Sequence, residues 1–171
     1  GIDIDNGYMT EAAELLEERV KIYRQMYPEV NMFQGDLTIE DNYNKVIEAA
    51  REAGCNFLLA TPPCQGMSKA GLKKKTDPRN SLILVVLKAI KDIRPQFVII
   101  ENVPEIISAH INYEGDIVNV NDLLVRELGE EYNFNNRKIV NTMNYGIAQS
   151  RERCVFLLSR KDSNVKWEFP E

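Results

Sequence analysis

Two turns in this sequence carry reactive groups. Ala60-Thr61-Pro62-Pro63 delivers Cys64, and Glu101-Asn102-Val103 presents a carboxyl group. Each follows an apolar run, Phe57-Leu58-Leu59-Ala60 in one case and Phe97-Val98-Ile99-Ile100 in the other. Consecutive prolines cannot continue a central strand, because they lack the N–H that a ladder needs. Cys64 therefore belongs just past the carboxyl end of a strand, where open α/β sheets bind ligands. If the two strands are parallel, Glu101 lies at the same edge, and a thiol and a carboxyl face one cleft. Gln149-Ser150-Arg151-Glu152-Arg153 adds cations. Arg151 and Arg153 are expected to point to opposite faces of a strand, so that one of them reaches the cleft.

A thiol in such a place has several possible roles. An arbitrary cysteine is a small buried hydrophobe, and Glu101 alone reads as a carboxylate held at a helix start. The position of Cys64 after two prolines favours a functional thiol. Acyl transfer through a Cys–His pair needs an imidazole, and His110 is the single histidine; it reads better as a solvated or locally bonded residue. The other chemistry is addition of a thiolate to an activated double bond in an electron-poor ring. That addition needs a carboxyl to hold or protonate a ring nitrogen and a cation to hold a ring oxygen. Glu101 and the Arg151/Arg153 pair supply those group types.

The rest of the chain must position these groups. At 171 residues it has the length of one domain, with 44% hydrophobic and 27% charged residues, values ordinary for a globular protein. No apolar run approaches the roughly 18 residues of a membrane span, and no signal peptide is evident. Three irregularly spaced cysteines, Cys55, Cys64 and Cys154, argue against a disulfide framework and for a reducing compartment. No Cys/His spacing resembles a zinc site, and no metal is expected. The net charge of −5 means that nucleic-acid binding would need a local basic patch.

Strand and helix signals alternate. A strand ends near Ala13-Glu14-Leu15, and a helix from Glu17 to Tyr27 is closed by Pro28. A short strand over Val30 to Phe33 leads to Gly35-Asp36. A helix capped by Asp41 ends at Gly54, an apolar helix runs from Ser81 to Ile93, and another spans Asn121 to Leu128. The run Phe97 to Ile100 is expected to be buried on both faces. Arg137 to Thr142 and Cys154 to Ser159 are strand-like with no helix between them, which predicts an antiparallel pair at one end of a mostly parallel α/β sheet.

In order and spacing, Ala60 through Ser68, Glu101-Asn102-Val103 and Gln149-Ser150-Arg151-Glu152-Arg153 resemble the DNA (cytosine-5)-methyltransferases. Gly35-Asp36-Leu37, Asp77-Pro78-Arg79-Asn80-Ser81-Leu82 and Tyr145-Gly146-Ile147-Ala148-Gln149 agree, and the likeness covers about Ala12 to Pro170. The resemblance implies a Rossmann-like S-adenosylmethionine-dependent methyltransferase fold. It implies that Cys64, presented by Pro63, attacks C6 of a cytosine flipped out of double-stranded DNA. Glu101 would contact N3 and the exocyclic amine, Arg153 would hold O2 and Arg151 would support it. C5 then takes the methyl group, leaving S-adenosylhomocysteine. Gly66 to Arg79 would be a loop over DNA, with Gln65, Ser68, Lys73, Lys74 and Lys75 as contacts; a solvated charge run is the alternative for the lysines. Glu14 would bind the cofactor ribose, with Asp3 or Asp5 as alternatives. Asp36 would face the adenine amine, with Pro62 and Leu82 alongside.

Two family features are missing from the sequence: the Phe-x-Gly-x-Gly loop that cradles the methionine end of the cofactor, and the target-recognition domain after Phe169-Pro170. Residues 1–171 are therefore expected to form a single, partial catalytic domain that does not methylate DNA alone, with missing segments or a second subunit reading the target. A bacterial restriction-modification enzyme acting in the cytoplasm on the nucleoid is implied. A tRNA cytosine-5 methyltransferase and a non-catalytic methyltransferase-like subunit are the alternatives.

Overall fold

The computed structural model describes residues 11–63, 82–165 and 169. Cys64, Gln65, Ser68, Lys73, Lys74 and Lys75 lie outside the described residues, as do Asp3 and Asp5. The order is β1 (Glu11–Glu14), α1 (Glu17–Met26), β2 (Asn31–Gln34), α2 (Glu40–Glu52), β3 (Phe57–Ala60), α3 (Leu82–Ile93) and β4 (Phe97–Asn102). Then come β5 (His110–Tyr113), β6 (Asp116–Asn119), α4 (Val120–Leu128), β7 (Tyr132–Asn141) and β8 (Glu152–Arg160). Short 3-10 turns follow β4, β7 and β8, at Pro104–Ser108, Thr142–Tyr145 and Lys161–Ser163.

β1 and β2 form a parallel pair, and a four-stranded sheet has the order β3-β4-β8-β7. β3 and β4 are parallel, whereas β8 is antiparallel to both β4 and β7. The sheet is thus mixed, which corrects the expectation of a mostly parallel one. The antiparallel pair does form, since a short connection without a helix can only return the chain antiparallel. Its order across the sheet follows from side chains. β8 carries Cys154, Phe156 and Leu158, all at most 1% exposed, and takes the inner place beside β4. β7 exposes Arg137, Lys138 and Ile139 and takes the edge, where charge discourages further pairing.

α2 buries Tyr43, Val46, Ile47 and Ala50, one stripe at helical spacing. Its ending is a Schellman motif: Cys55 N–H reaches Ala50 O at 2.9 Å and Gly54 N–H reaches Arg51 O at 3.1 Å. Gly54 has φ +68, the left-handed conformation the motif requires. The start differs from expectation. Ile39 is the flanking residue and no side chain caps the helix, so Asp41 instead lies in the first turn, where its charge suits the helix dipole. α3 buries Ile83, Leu87 and Ile90 against the sheet core.

β4 is buried on one face rather than both. Val98, Ile100 and Asn102 are buried, while Phe97, Ile99 and Glu101 are half-buried. The buried face joins Leu58, Phe156 and Leu158 with residues of α2, α3 and α4 in one cluster. The β5–β6 hairpin has no counterpart in the sequence reading. Glu114 and Gly115 form its two-residue turn, both at positive φ (54 and 92), the geometry of a type I′ turn.

Asp92 ties α2 to α3. It accepts from Tyr43 Oη at 2.6 Å and Lys88 Nζ at 2.9 Å, while its backbone oxygen accepts from Arg51. The Lys88 ammonium first, then the Tyr43 hydroxyl, hold its carboxyl below the ordinary 3.8. A depressed carboxylate contributes stability above its unfolded value, and that contribution is lost as pH falls through the folded value. Denaturant melts at a series of pH values will show the parent losing more stability below about pH 4 than Asp92→Asn, which has no such proton to gain; parallel curves would contradict this account. Phe156→Ala removes the largest fully buried side chain among the described residues and is expected to cost about 3–5 kcal/mol in urea unfolding.

Candidate active site

The segment leading to Cys64 leaves β3 at Ala60 and passes through Thr61, Pro62 and Pro63. Neither proline has an N–H, so the carbonyl oxygens are what remains for anchoring this backbone. Asn102, at the end of β4 and 4% exposed, supplies the anchor. Its Nδ2 donates to Pro62 O at 3.0 Å, and its Oδ1 accepts from Val103 N–H at 2.9 Å. Both ends of one buried amide thus hold the backbone of the two strand-end turns. Since β3 and β4 are parallel, with Ala60 beside Ile100, those turns lie at one edge. The sequence signal for this role of Asn102 is an amide that follows a carboxylate at the end of an apolar strand.

Glu101 faces away from Asn102, as alternation in a strand requires. Antiparallel pairing places Glu101 opposite Val155 and Asn102 opposite Cys154. Arg153 is thereby diagonal to Glu101 on the same face. Its Nε lies 2.8 Å from Glu101 Oε1, with the two side chains 23% and 32% exposed. Arg153 Nη1 also donates to Glu152 O at 2.6 Å. A carboxylate and a guanidinium, half-shielded and in contact, stand beside the turn that leads to the thiol.

The expected opposition of Arg151 and Arg153 is corrected. Residues two apart in a regular strand share a face. What distinguishes them is that β8 begins at Glu152, so Arg151 lies in the preceding loop. Its side chain is exposed and makes no ion pair among the described residues.

The other candidates have local partners of their own. Glu14 ends β1, where its Oε1 accepts from Leu15 and Leu16 N–H at 2.9 and 3.0 Å, and its Oε2 has a longer contact of 3.4 Å with Arg19. Asp36 follows β2; its Oδ1 accepts from both Thr38 N–H and Oγ1, at 2.8 and 2.7 Å. The parallel register, Glu14 beside Gln34, brings both carboxylates to the same end of that pair. Pro62 is half-buried and Leu82 opens α3 as described. Cys55 and Cys154 are buried, and burial pushes the Cys154 thiol up to about 11, so that it packs as a neutral group. His110 stands on the β5–β6 hairpin with a ring nitrogen 2.9 Å from Ser108 O, the locally bonded state expected of it. No group able to hold a metal occurs among the described residues.

Residues 5–171 match the family of C-5 cytosine-specific DNA methylases. This chain belongs to that family. Among relatives, the type II methyltransferase M1.HgaI of Avibacterium volantium is 34% identical over 164 residues, covering 93% of this chain and 45% of the relative. The type II methyltransferase M.FnuDI of Fusobacterium nucleatum is 39% identical over 116 residues, 66% of this chain and 32% of its own. Solved structures agree in fold. A crystal structure from E. coli, described as a prophage-encoded DNA modification methyltransferase, aligns with TM-score 0.74 at 20% identity, over 95% of this chain and 43% of that one. A Spodoptera frugiperda DNMT2 variant aligns with TM-score 0.67 at 19% identity, over 96% and 46%. This cytosine-methylase chain spans less than half the length of these relatives.

Asn102→Leu keeps the branched shape of the side chain, with somewhat larger volume, and removes its donor and acceptor. It leaves Pro62 O and Val103 N–H without this partner and is expected to cost about 1–3 kcal/mol. Urea unfolding checks this; unchanged stability would show that Asn102 does not anchor the turn.

Proposed function

We propose that the complete protein methylates C5 of cytosine in double-stranded DNA through a covalent bond between Cys64 Sγ and C6. The observation that carries this reading is the Glu101–Arg153 contact at 2.8 Å. It stands at the edge where Asn102 anchors the prolines preceding Cys64. Family membership supports the same reading, and the relatives named above are type II methyltransferases.

In this reading the Cys64 thiolate adds to C6 of a flipped-out cytosine. Glu101 contacts N3 and the exocyclic amine and stabilises the enamine that forms, while the Arg153 guanidinium holds O2. The contact between them engages Arg153 Nε and Glu101 Oε1, and among the described residues Glu101 Oε2 and Arg153 Nη2 remain to meet the base. S-adenosylmethionine supplies the methyl group and leaves as S-adenosylhomocysteine. Loss of the C5 proton and elimination of Cys64 then regenerate the thiolate and release 5-methylcytosine. Pro63 shapes the turn that presents the nucleophile, and Arg151 adds positive charge nearby.

The residues present suit an adenosine donor. Glu14 Oε2, engaged among the described residues only by the long contact with Arg19, can accept from ribose hydroxyls. Asp36 Oδ2, which has no partner among the described residues, can accept from an adenine amine. Pro62 and Leu82 flank this group. Gln65, Ser68, Lys73, Lys74 and Lys75 are assigned to the DNA phosphates. Reading of the target sequence is assigned to segments beyond these residues or to a second subunit, and the site of action to DNA in the bacterial cytoplasm.

Trapping tests the reading. Duplex DNA with 5-fluorocytosine in the target, incubated with the full protein and S-adenosylmethionine, is expected to give an adduct stable to denaturing electrophoresis. Cys64→Ser should give none. Absence of an adduct with the parent protein on DNA would overturn the proposal, and one formed on tRNA alone would transfer it to RNA.

A further inference from the structure

The loop between β7 and β8 is gripped at both ends by a side chain that no part of the proposed mechanism uses. Asn141 is the last residue of β7 and pairs with Glu152, the first residue of β8. Its Oδ1 accepts two backbone N–H groups, from Met143 at 3.1 Å and from Arg151 at 3.2 Å. Its Nδ2 donates to Ser150 Oγ at 3.0 Å. The amide therefore grips both ends of the connection it opens. Its neighbour completes the clip: Thr142 N–H donates to Arg151 O at 3.0 Å and Thr142 Oγ1 to Gln149 O at 2.7 Å.

The consequence lies one residue further on. The clip fixes the backbone of Arg151 from both sides, and the Asn141–Glu152 pairing sets where β8 begins. Glu152 O in turn accepts from Arg153 Nη1 at 2.6 Å, and Arg153 Nε meets Glu101 at 2.8 Å. A continuous series of bonds thus runs from the Asn141 amide to the guanidinium that faces the substrate. Without the clip, the ten residues from Thr142 to Arg151 would join β7 to β8 with few tertiary bonds, and the first residues of β8 would fray, as strand ends do.

We infer that Asn141 is a positioning residue for Arg153: it acts through the start of β8 and touches neither DNA nor cofactor. The inference rests on the reading of Arg153 proposed above. Misplacement of a catalytic group by about 1 Å can cost on the order of 100-fold in rate, so loss of the clip should appear in the chemical step rather than in binding.

The test is the single-turnover rate of adduct formation between the full protein and duplex DNA containing 5-fluorocytosine, with DNA affinity and thermal melting measured alongside. Asn141→Ala is expected to slow adduct formation by about 10- to 100-fold, with DNA affinity held within about threefold. Asn141→Asp keeps both acceptor bonds, and the Ser150 hydroxyl can turn to donate to it, so its rate should return to within about threefold of the parent. A double-mutant cycle separates positioning from general loosening. In an Arg153→Ala background, Asn141→Ala should add little, because the group it positions is gone. Full additivity of the two losses, or a parental rate for Asn141→Ala, would overturn the inference while leaving the Cys64 chemistry intact. No adduct with the parent protein overturns both. If Asn141→Ala does not fold, Ser150→Ala removes one bond of the same clip and carries the same cycle, with an expected loss of several-fold.

Discussion

The antiparallel ladder between β4 and β8 is the constraint on which the rest of this structure depends. Its register runs from Phe97 beside Ser159 to Asn102 beside Cys154. On one face it closes the core: Val98 and Ile100 of β4 and Cys154, Phe156 and Leu158 of β8 are all at most 1% exposed. On the other face the same register sets Arg153 diagonal to Glu101. A slip of one residue would send the apolar residues of β8 to the exposed side and Arg153 into the core. The energy that holds the register is therefore hydrophobic, and the ion pair is placed by it. A half-exposed salt bridge of this kind contributes little stability itself, of the order of 1 kcal/mol or less.

Polar groups serve two separate purposes in the molecule. Around Asp92, charges are matched within a network joining two helices: Lys88, Tyr43 and Arg51 surround one carboxylate. At the strand ends the arrangement differs. Asn102 bonds backbone through both ends of its amide, whereas among the described residues Glu101 and Arg153 have only each other and one carbonyl. A rigid, buried amide beneath a pair of half-exposed charges is the combination a site needs: fixed backbone, and side chains that can exchange a protein partner for a substrate one.

The sequence was legible where the signals are local. Apolar runs broken by Pro62-Pro63 and by Glu101-Asn102 marked two strand ends, and Gly54 marked the end of α2 because only a residue tolerant of positive φ completes that motif. It was less legible where neighbours decide. The Glu114-Gly115 turn lacks the Asn-Gly or Asp-Gly pair that announces a hairpin most strongly. The helix start assigned to Asp41 lies at Glu40, because a first-turn acid and a cap look alike in sequence. Half-burial of Phe97 and Ile99 could not be told from full burial, since a strand with both kinds of apolar contact reads as one continuous run.

By itself, the sequence determined the alternation of strands and helices, the positions at which prolines and polar residues end the strands, and a pattern of motifs specific enough to identify the family. These are properties of short stretches, set by φ preferences, missing N–H groups and side-chain order. Only the tertiary structure decided that β8 lies inside β7, that Arg153 rather than Arg151 meets Glu101, and that Asn102 reaches back 40 residues to Pro62. Those contacts join segments far apart in the chain. Their geometry is set by how apolar faces pack and which strand register buries them, and no local preference along the chain encodes that choice.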